Sequence, residues 1–213
     1  MLKKEFALAS SFAFYLLTAF GISLTISAGV GVSSFNSLNL SLAYLSHLKI
    51  GTVTILVNGS FLFAYICLTN FKLKGTYLRQ LIALLAFGQV INFFSYQILG
   101  NFTLSSYPLK LSIFILGLAL AGFGTGMVLN LHVLTFPIEG VCLILAEKTA
   151  FTFKQLRYSI DLFSVAFSLL VTLMTSAPLV VREGTFLSLF LLSFFISQTK
   201  LSFDQKKLLK AKA

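Results

Sequence analysis

A chain of 213 residues that is 57% hydrophobic and only 10% charged cannot cover a soluble domain, whose charged share averages about 25%. The formal net charge of +10 does not point to nucleic acid, because the Lys and Arg flank long uncharged stretches, as in the loops of membrane proteins. Two cysteines, Cys67 and Cys142, give neither a disulfide framework nor a metal-ligand spacing, and both read as small core hydrophobes.

The charge gaps mark the elements in chain order. A membrane-spanning helix needs about 20 mainly apolar residues. The first gap runs from Glu5 to Lys49 and holds a span over 8–30. Its start, Met1-Leu2-Lys3-Lys4, reads as the head of that span and not as a signal peptide, since the apolar run is long for one. Gly29 and Gly31 break the helix at its end. Residues 33–47 follow, too short to cross and rich in Ser, with Asn36, Asn39 and His47; Ser33 or Ser34 suits a helix cap there. The second span covers 50–70. The third, 78–99, carries Gln89, Asn92 and Tyr96 on one face, placed either to line a cavity or to bond a neighbouring helix. The fourth, 111–132, has Gly117, Ala121, Gly122, Gly124 and Gly126, a surface for close helix packing. Segment 136–148 is again short, with Pro137 at its first turn. Spans over 157–177 and 184–202 complete six, the last needing Lys200 to snorkel. His47 and His132 end their segments and read as capping or interface residues.

Six spans with the N-terminus in the cytoplasm put 13 of the 16 Lys and Arg inside and leave Lys49, Lys110 and Arg182 outside. Both termini are then cytoplasmic, in the plasma membrane, and the Lys-rich end from 204 to 213 is a basic tail near anionic lipid. If the two short segments also cross, there are eight spans and the split is 12 to 4. Segment length and polarity favour six, with both short segments read as re-entrant or broken helices.

An internal repeat organises these elements. At an offset of 103 residues, Phe20-Gly21 falls on Phe123-Gly124, Ser34 on Pro137, Asn36 on Glu139 and Asn58 on Asp161. At an offset of 109, Gly75-Thr76 falls on Gly184-Thr185 and Gln89 on Gln198. The expectation is an all-α integral membrane protein with a first repeat over 1–104 and a second over 105–203. With three spans each, the repeats must be inverted; with four, they would be parallel.

Few residues here carry chemistry. Of six acidic residues, Glu139 and Asp161 lie in apolar surroundings, where an ionised carboxylate costs about 2.5–3.5 kcal/mol or more. Asp161 has Arg157 one turn earlier, the spacing of a structural ion pair. Glu139 sits two residues after Pro137, where a helix N-terminus favours a carboxylate. The repeat sets Asn36 and Asn58 opposite them. The expected site is therefore Asn36, Asn58, Glu139 and Asp161 around one central cavity, with Gln89 and Asn92 as further candidates for a substrate or ion. No nucleophile motif, phosphate loop, cofactor fingerprint or metal cluster accompanies them, so no enzyme activity, cofactor or metal is expected.

The stretches AGVGVSSFNSL (28–38), KIGTVTI (49–55) and KGTYL (74–78), with FPIEGV (136–141) and EGTFL (183–187), resemble the YczE/YyaS/YitT family of bacterial multipass membrane proteins over roughly residues 15–200. Members commonly carry Pro and Asp where this chain has Ser34 and Asn36; only Pro137 and Glu139 keep that pattern. The resemblance implies a multipass protein of the bacterial cytoplasmic membrane, of permease type, and names no substrate.

The function expected is a small transporter or permease with a polar midplane site, and proton coupling is one version of it. The alternatives are a substrate-binding subunit of a vitamin-type uptake complex, docking through Ala9 and Ala13, and a non-transporting accessory protein. The expected partners are the lipid bilayer, an unknown small molecule or ion, and a second copy or partner subunit.

Overall fold

A computed structural model describes residues 2–100 and 104–212, with side-chain surroundings for 5–100 and 104–202. Its regular structure there is helical. In chain order the elements are α1 (Leu2–Ala28), α2 (Ser34–Ser46), α3 (Ile50–Leu68), α4 (Lys74–Asn92), which continues into a π-helical turn (Phe93–Ile98), α5 (Tyr107–Leu131), α6 (Pro137–Lys148), α7 (Phe153–Met174) and α8 (Glu183–Lys212). Six helices are long and apolar enough to cross a membrane: α1, α3, α4 with its π turn, α5, α7 and α8 over Glu183–Ser202. The chain is a multi-pass membrane protein.

The short helices do not cross. α2 has 13 residues and α6 has 12, about 20 Å and 18 Å of helix against a hydrocarbon core of about 30 Å. Their ends return to the side they came from. Gly29, at the end of α1, accepts a bond from Arg182, and Glu183 beside it accepts one from Tyr107 at the start of α5. Lys49, after α2, lies over the Tyr96 ring at the end of the π turn, which leads through the next loop to that same α5 start. At the opposite end, Lys148 donates to the Leu68 carbonyl where α3 finishes. The eight-crossing arrangement does not fit these pairings.

Chain breaks set the short helices in place. α1 stops at Gly29 (φ +66), and Gly31 (φ +120) turns the chain again. A Cβ on Gly31 would lie 2.9 Å from the Thr185 nitrogen, so only glycine allows this approach. α5 stops at His132 in the left-handed region (φ +52), and α2 stops likewise at His47 (φ +56). Both histidines are helix ends. Ser33 precedes α2, but its side chain makes no cap hydrogen bond; the residue lines a cavity.

The element starts keep the register of the sequence offsets. Ser34 to Pro137 and Ile50 to Phe153 are both 103 residues, and Lys74 to Glu183 is 109. The left-handed residues Gly29 and His132 are also 103 apart. Packing exchanges partners between the halves: α2 packs on α7 and α6 on α3, while α1 packs on α5 at the centre. The central contact is close because a Cβ on Gly21 would fall 2.6 Å from the Gly117 carbonyl oxygen. Gly122 and Gly126 admit α8 through Phe195 and Thr199.

Several hydroxyls within the spans bond back to their own helices. Thr18 donates to the Phe14 carbonyl, Ser23 to Ala19 and Ser164 to Ile160, which satisfies them without water. Cys142 is buried as expected, but Cys67 faces outward from α3, so it is not a core residue.

Candidate functional site

A cavity of about 420 Å³ lies among α1, α5, α7 and α8, and the N-terminal turns of α2 and α6 both open into it. Its lining includes Asn36 from α2, Asn58 from α3, Glu139 from α6 and Asp161 from α7. Four side chains up to 125 residues apart in sequence thus meet in one place. The first-turn N–H groups of a helix have no partner within that helix, so two such ends beside one cavity make its wall polar.

Arg157 organises the acidic side. Its Nη1 lies 2.8 Å from Asp161 Oδ1, one turn away, and its Nε lies 3.9 Å from Glu139 Oε1. The first pair is a charge-assisted hydrogen bond; the second is an ion pair without one. The guanidinium also lies over the Phe35 ring, 5.8 Å from its centre. One cation therefore serves two carboxylates. Glu139 Oε2 has no hydrogen-bond partner among the described residues.

The amide side is less satisfied. Asn58 is buried and donates to the Thr54 carbonyl of its own helix at 3.0 Å. Asn36 is 8% exposed and no described hydrogen bond engages its side chain. Tyr15 stacks on Phe136 with centroids 4.3 Å apart, Phe87 meets both rings edge-on, and Phe87 and Phe136 line the cavity. Thr18, Thr25, Thr54 and Ser188 add buried hydroxyls to the wall.

Gln89 and Asn92 lie apart from this cavity. Gln89 faces outward from α4. Asn92 Oδ1 accepts from the Gly51 N–H at 2.8 Å, its Nδ2 donates to Thr52, and the Tyr96 hydroxyl accepts from the Ile50 N–H at 3.1 Å. Asn92 and Tyr96 therefore cap α3 from the α4 side. α3 needs this, since Lys49 at its N-cap gives no side-chain cap.

Sequence reading missed Lys154, Ser193 and Ser197, which also line the cavity. The serines are four residues apart on α8, a one-face spacing, but serine in an apolar span is too common to single out. It also started α7 too late. Thr152 and Gln155 form a reciprocal capping box, a signal present in the sequence as Thr-x-x-Gln.

The chain matches, over residues 6–200, the family of unknown function DUF6198. It belongs to the DUF6198 family. It is 31% identical over 150 residues to the "Uncharacterized protein YyaS" of Bacillus subtilis (strain 168), covering 69% of this chain and 73% of that one. It is 26% identical over 164 residues to the "Uncharacterized membrane protein YczE" of the same organism, covering 76% and 74%. No solved structure matches. The matched DUF6198 region takes in both short helices and every cavity residue named above.

Proposed function

We propose that this DUF6198 member is a small permease whose substrate site is the cavity at the N-termini of α2 and α6. The observation that carries this is the meeting of Asn36, Asn58, Glu139 and Asp161 in one lining. Intramembrane carboxylates are costly and mark substrate or proton paths. Helix ends directed at a central cavity are a transporter device. The equal offsets and the exchanged packing of α2 and α6 support two structural repeats, 1–104 and 105–203, and the odd number of crossings per repeat supports inversion. The Lys and Arg distribution supports cytoplasmic termini in the plasma membrane. The side chains of the Lys-rich end lie outside the described residues; the backbone there continues α8 to Lys212.

The test is a panel of amines, amino acids, nucleosides and phosphates screened by thermal shift on the purified chain, followed by uptake into proteoliposomes. Asn36→Ala, Asn58→Ala, Glu139→Gln and Asp161→Asn should each lower uptake of a stabilising solute. Unchanged uptake in all four variants would discard the permease.

A further inference from the structure

The cavity is not enclosed by a complete ring of helices. α7 lines it with Phe153, Lys154, Arg157, Tyr158 and Asp161, and α8 with Ser188, Leu189, Leu192, Ser193, Ile196 and Ser197. Each set recurs at i, i+1, i+4, i+5, so each helix turns one whole face to the cavity over about 12 Å. Yet α7 and α8 share almost no packing with each other among the described residues. Tyr158 and Lys154 on one edge, and Leu189, Ser193 and Ser197 on the other, line the cavity and also face outward. Between these two crossing helices the cavity therefore opens sideways.

The matching pair in the first half is shut. α3 packs along α4, and a Cβ on Gly51 would land on the Gly88 carbonyl. The α3 N-terminus is held by Asn92 and Tyr96 from the α4 side. The α7 N-terminus instead caps itself through Thr152 and Gln155 and needs nothing from α8. The sideways opening thus belongs to one half alone.

A polar cleft facing hydrocarbon is costly, because its groups lose water without gaining partners. A molecule that is polar at one end and apolar at the other meets both surroundings at once. The charges in the lining give the order of its parts. Lys154 sits at the mouth over the Tyr158 ring, with no acidic group in ion-pair range among the described residues. Deeper lie Glu139, with one carboxylate oxygen unpartnered, and the unbonded Asn36 amide. An anionic group at the mouth and a protonated amine further in would complement them.

We propose that the α7–α8 opening admits a zwitterionic amphiphile from the bilayer. Its phosphate meets Lys154, its amine reaches Glu139 and Asn36, and its apolar chains remain in the membrane. This rests on the permease reading and names the substrate class of the same cavity.

The experiment reconstitutes the full chain into phosphatidylcholine vesicles holding a trace of phosphatidylethanolamine labelled on its acyl chain. A parallel set holds acyl-labelled phosphatidylglycerol, which lacks the amine. Dithionite bleaches only outer-leaflet label, so bleaching beyond that leaflet reports lipid movement. The expected result is faster movement of the phosphatidylethanolamine probe. Glu139→Gln should bring it to the phosphatidylglycerol rate, and Ser193→Trp, a change on the outward edge of the opening, should block both. Lys154→Ala, an exposed substitution with little risk to folding, should slow both probes by roughly tenfold, the loss of one charge-assisted contact. Equal rates for the two probes, or rates indifferent to Ser193→Trp and Lys154→Ala, would overturn the amphiphile. Uptake of a water-soluble solute that depends on Asn36 and ignores Ser193→Trp would remove the amphiphile and leave the permease standing. Movement of neither lipid, with no cavity-dependent uptake, would remove both.

Discussion

Arg157 holds Asp161 at 2.8 Å and Glu139 at 3.9 Å, with each side chain between 18% and 27% exposed. Removing a shared cation leaves two carboxylates facing each other with no compensation. Breaking a buried pair from one side costs about 3–5 kcal/mol, and partial exposure places this site toward the lower figure. Arg157→Ala should therefore lower the melting temperature of the purified protein clearly, while Lys154→Ala, with no carboxylate to strand, should leave it nearly unchanged. A backbone effect separates two glycines. Gly29 is left-handed, but a Cβ there meets nothing within 4 Å. Gly29→Ala should cost only the conformational penalty, about 1–2 kcal/mol. Gly31→Ala adds a collision with Thr185 and should destabilise more in the same melting experiment. The sequence showed the helix break at these glycines. It could not show that Arg157 reaches Glu139 as well as Asp161, because that contact depends on how α6 lies against α7.

Among the helices, α3 and α4 are joined by side chains of one that cap the other. Asn92 and Tyr96 satisfy N–H groups that α3 cannot satisfy itself. Asn92→Ala would leave the Gly51 N–H unpaired at about 1–3 kcal/mol, and Gly88→Ala would push the helices apart at Ile55. Both should loosen this pair, read as faster hydrogen exchange at the start of α3 and unchanged exchange at the start of α7. Six crossings and two short segments were legible from charge gaps and length, because both follow from bilayer thickness. The role of Asn92 was not legible: the spacing of Gln89, Asn92 and Tyr96 gives a face but not its neighbour. Gln89, on the same stripe, points outward instead. Of the four polar residues of the cavity, Glu139 and Asp161 stand out as carboxylates in apolar surroundings, while Asn36 and Asn58 are legible only through the repeat that sets them opposite.

At the level of the whole molecule, the pairing of loop ends makes a prediction about sidedness. Cysteine placed at Lys49, Lys110 or Arg182 should react with an impermeant thiol reagent from one face of sealed vesicles. Cysteine at Lys72 or Lys148 should react from the other, in a background with Cys67 and Cys142 replaced by Ser. Labelling of positions 110 and 148 from the same face would mean that the short helices cross after all. The difference between the closed α3–α4 pair and the open α7–α8 pair also belongs to this scale. The near-identical registers of the two halves do not tell which one is open; the signs that do are local, the Thr152–Gln155 box at the start of α7 and Gly51 and Gly88 where α3 meets α4.

The exchanged packing of α2 and α6 has a consequence for how the protein is made. α2 buries Ser34, Ser37, Asn39 and Ser41, and Ser37 takes a bond from Ser168, which is 131 residues later in the chain. At about 5–20 residues per second, α7 leaves the ribosome on the order of ten seconds after α2. For that interval the first half is in the membrane with a polar helix that has α3 beside it but not the α7 face that covers its serines. The newborn protein must hold α2 at the aqueous edge, or against the insertion machinery, until its partner arrives. Truncation after α4 should thus yield a fragment that is rapidly degraded, and supplying residues 105–213 as a separate chain should rescue it.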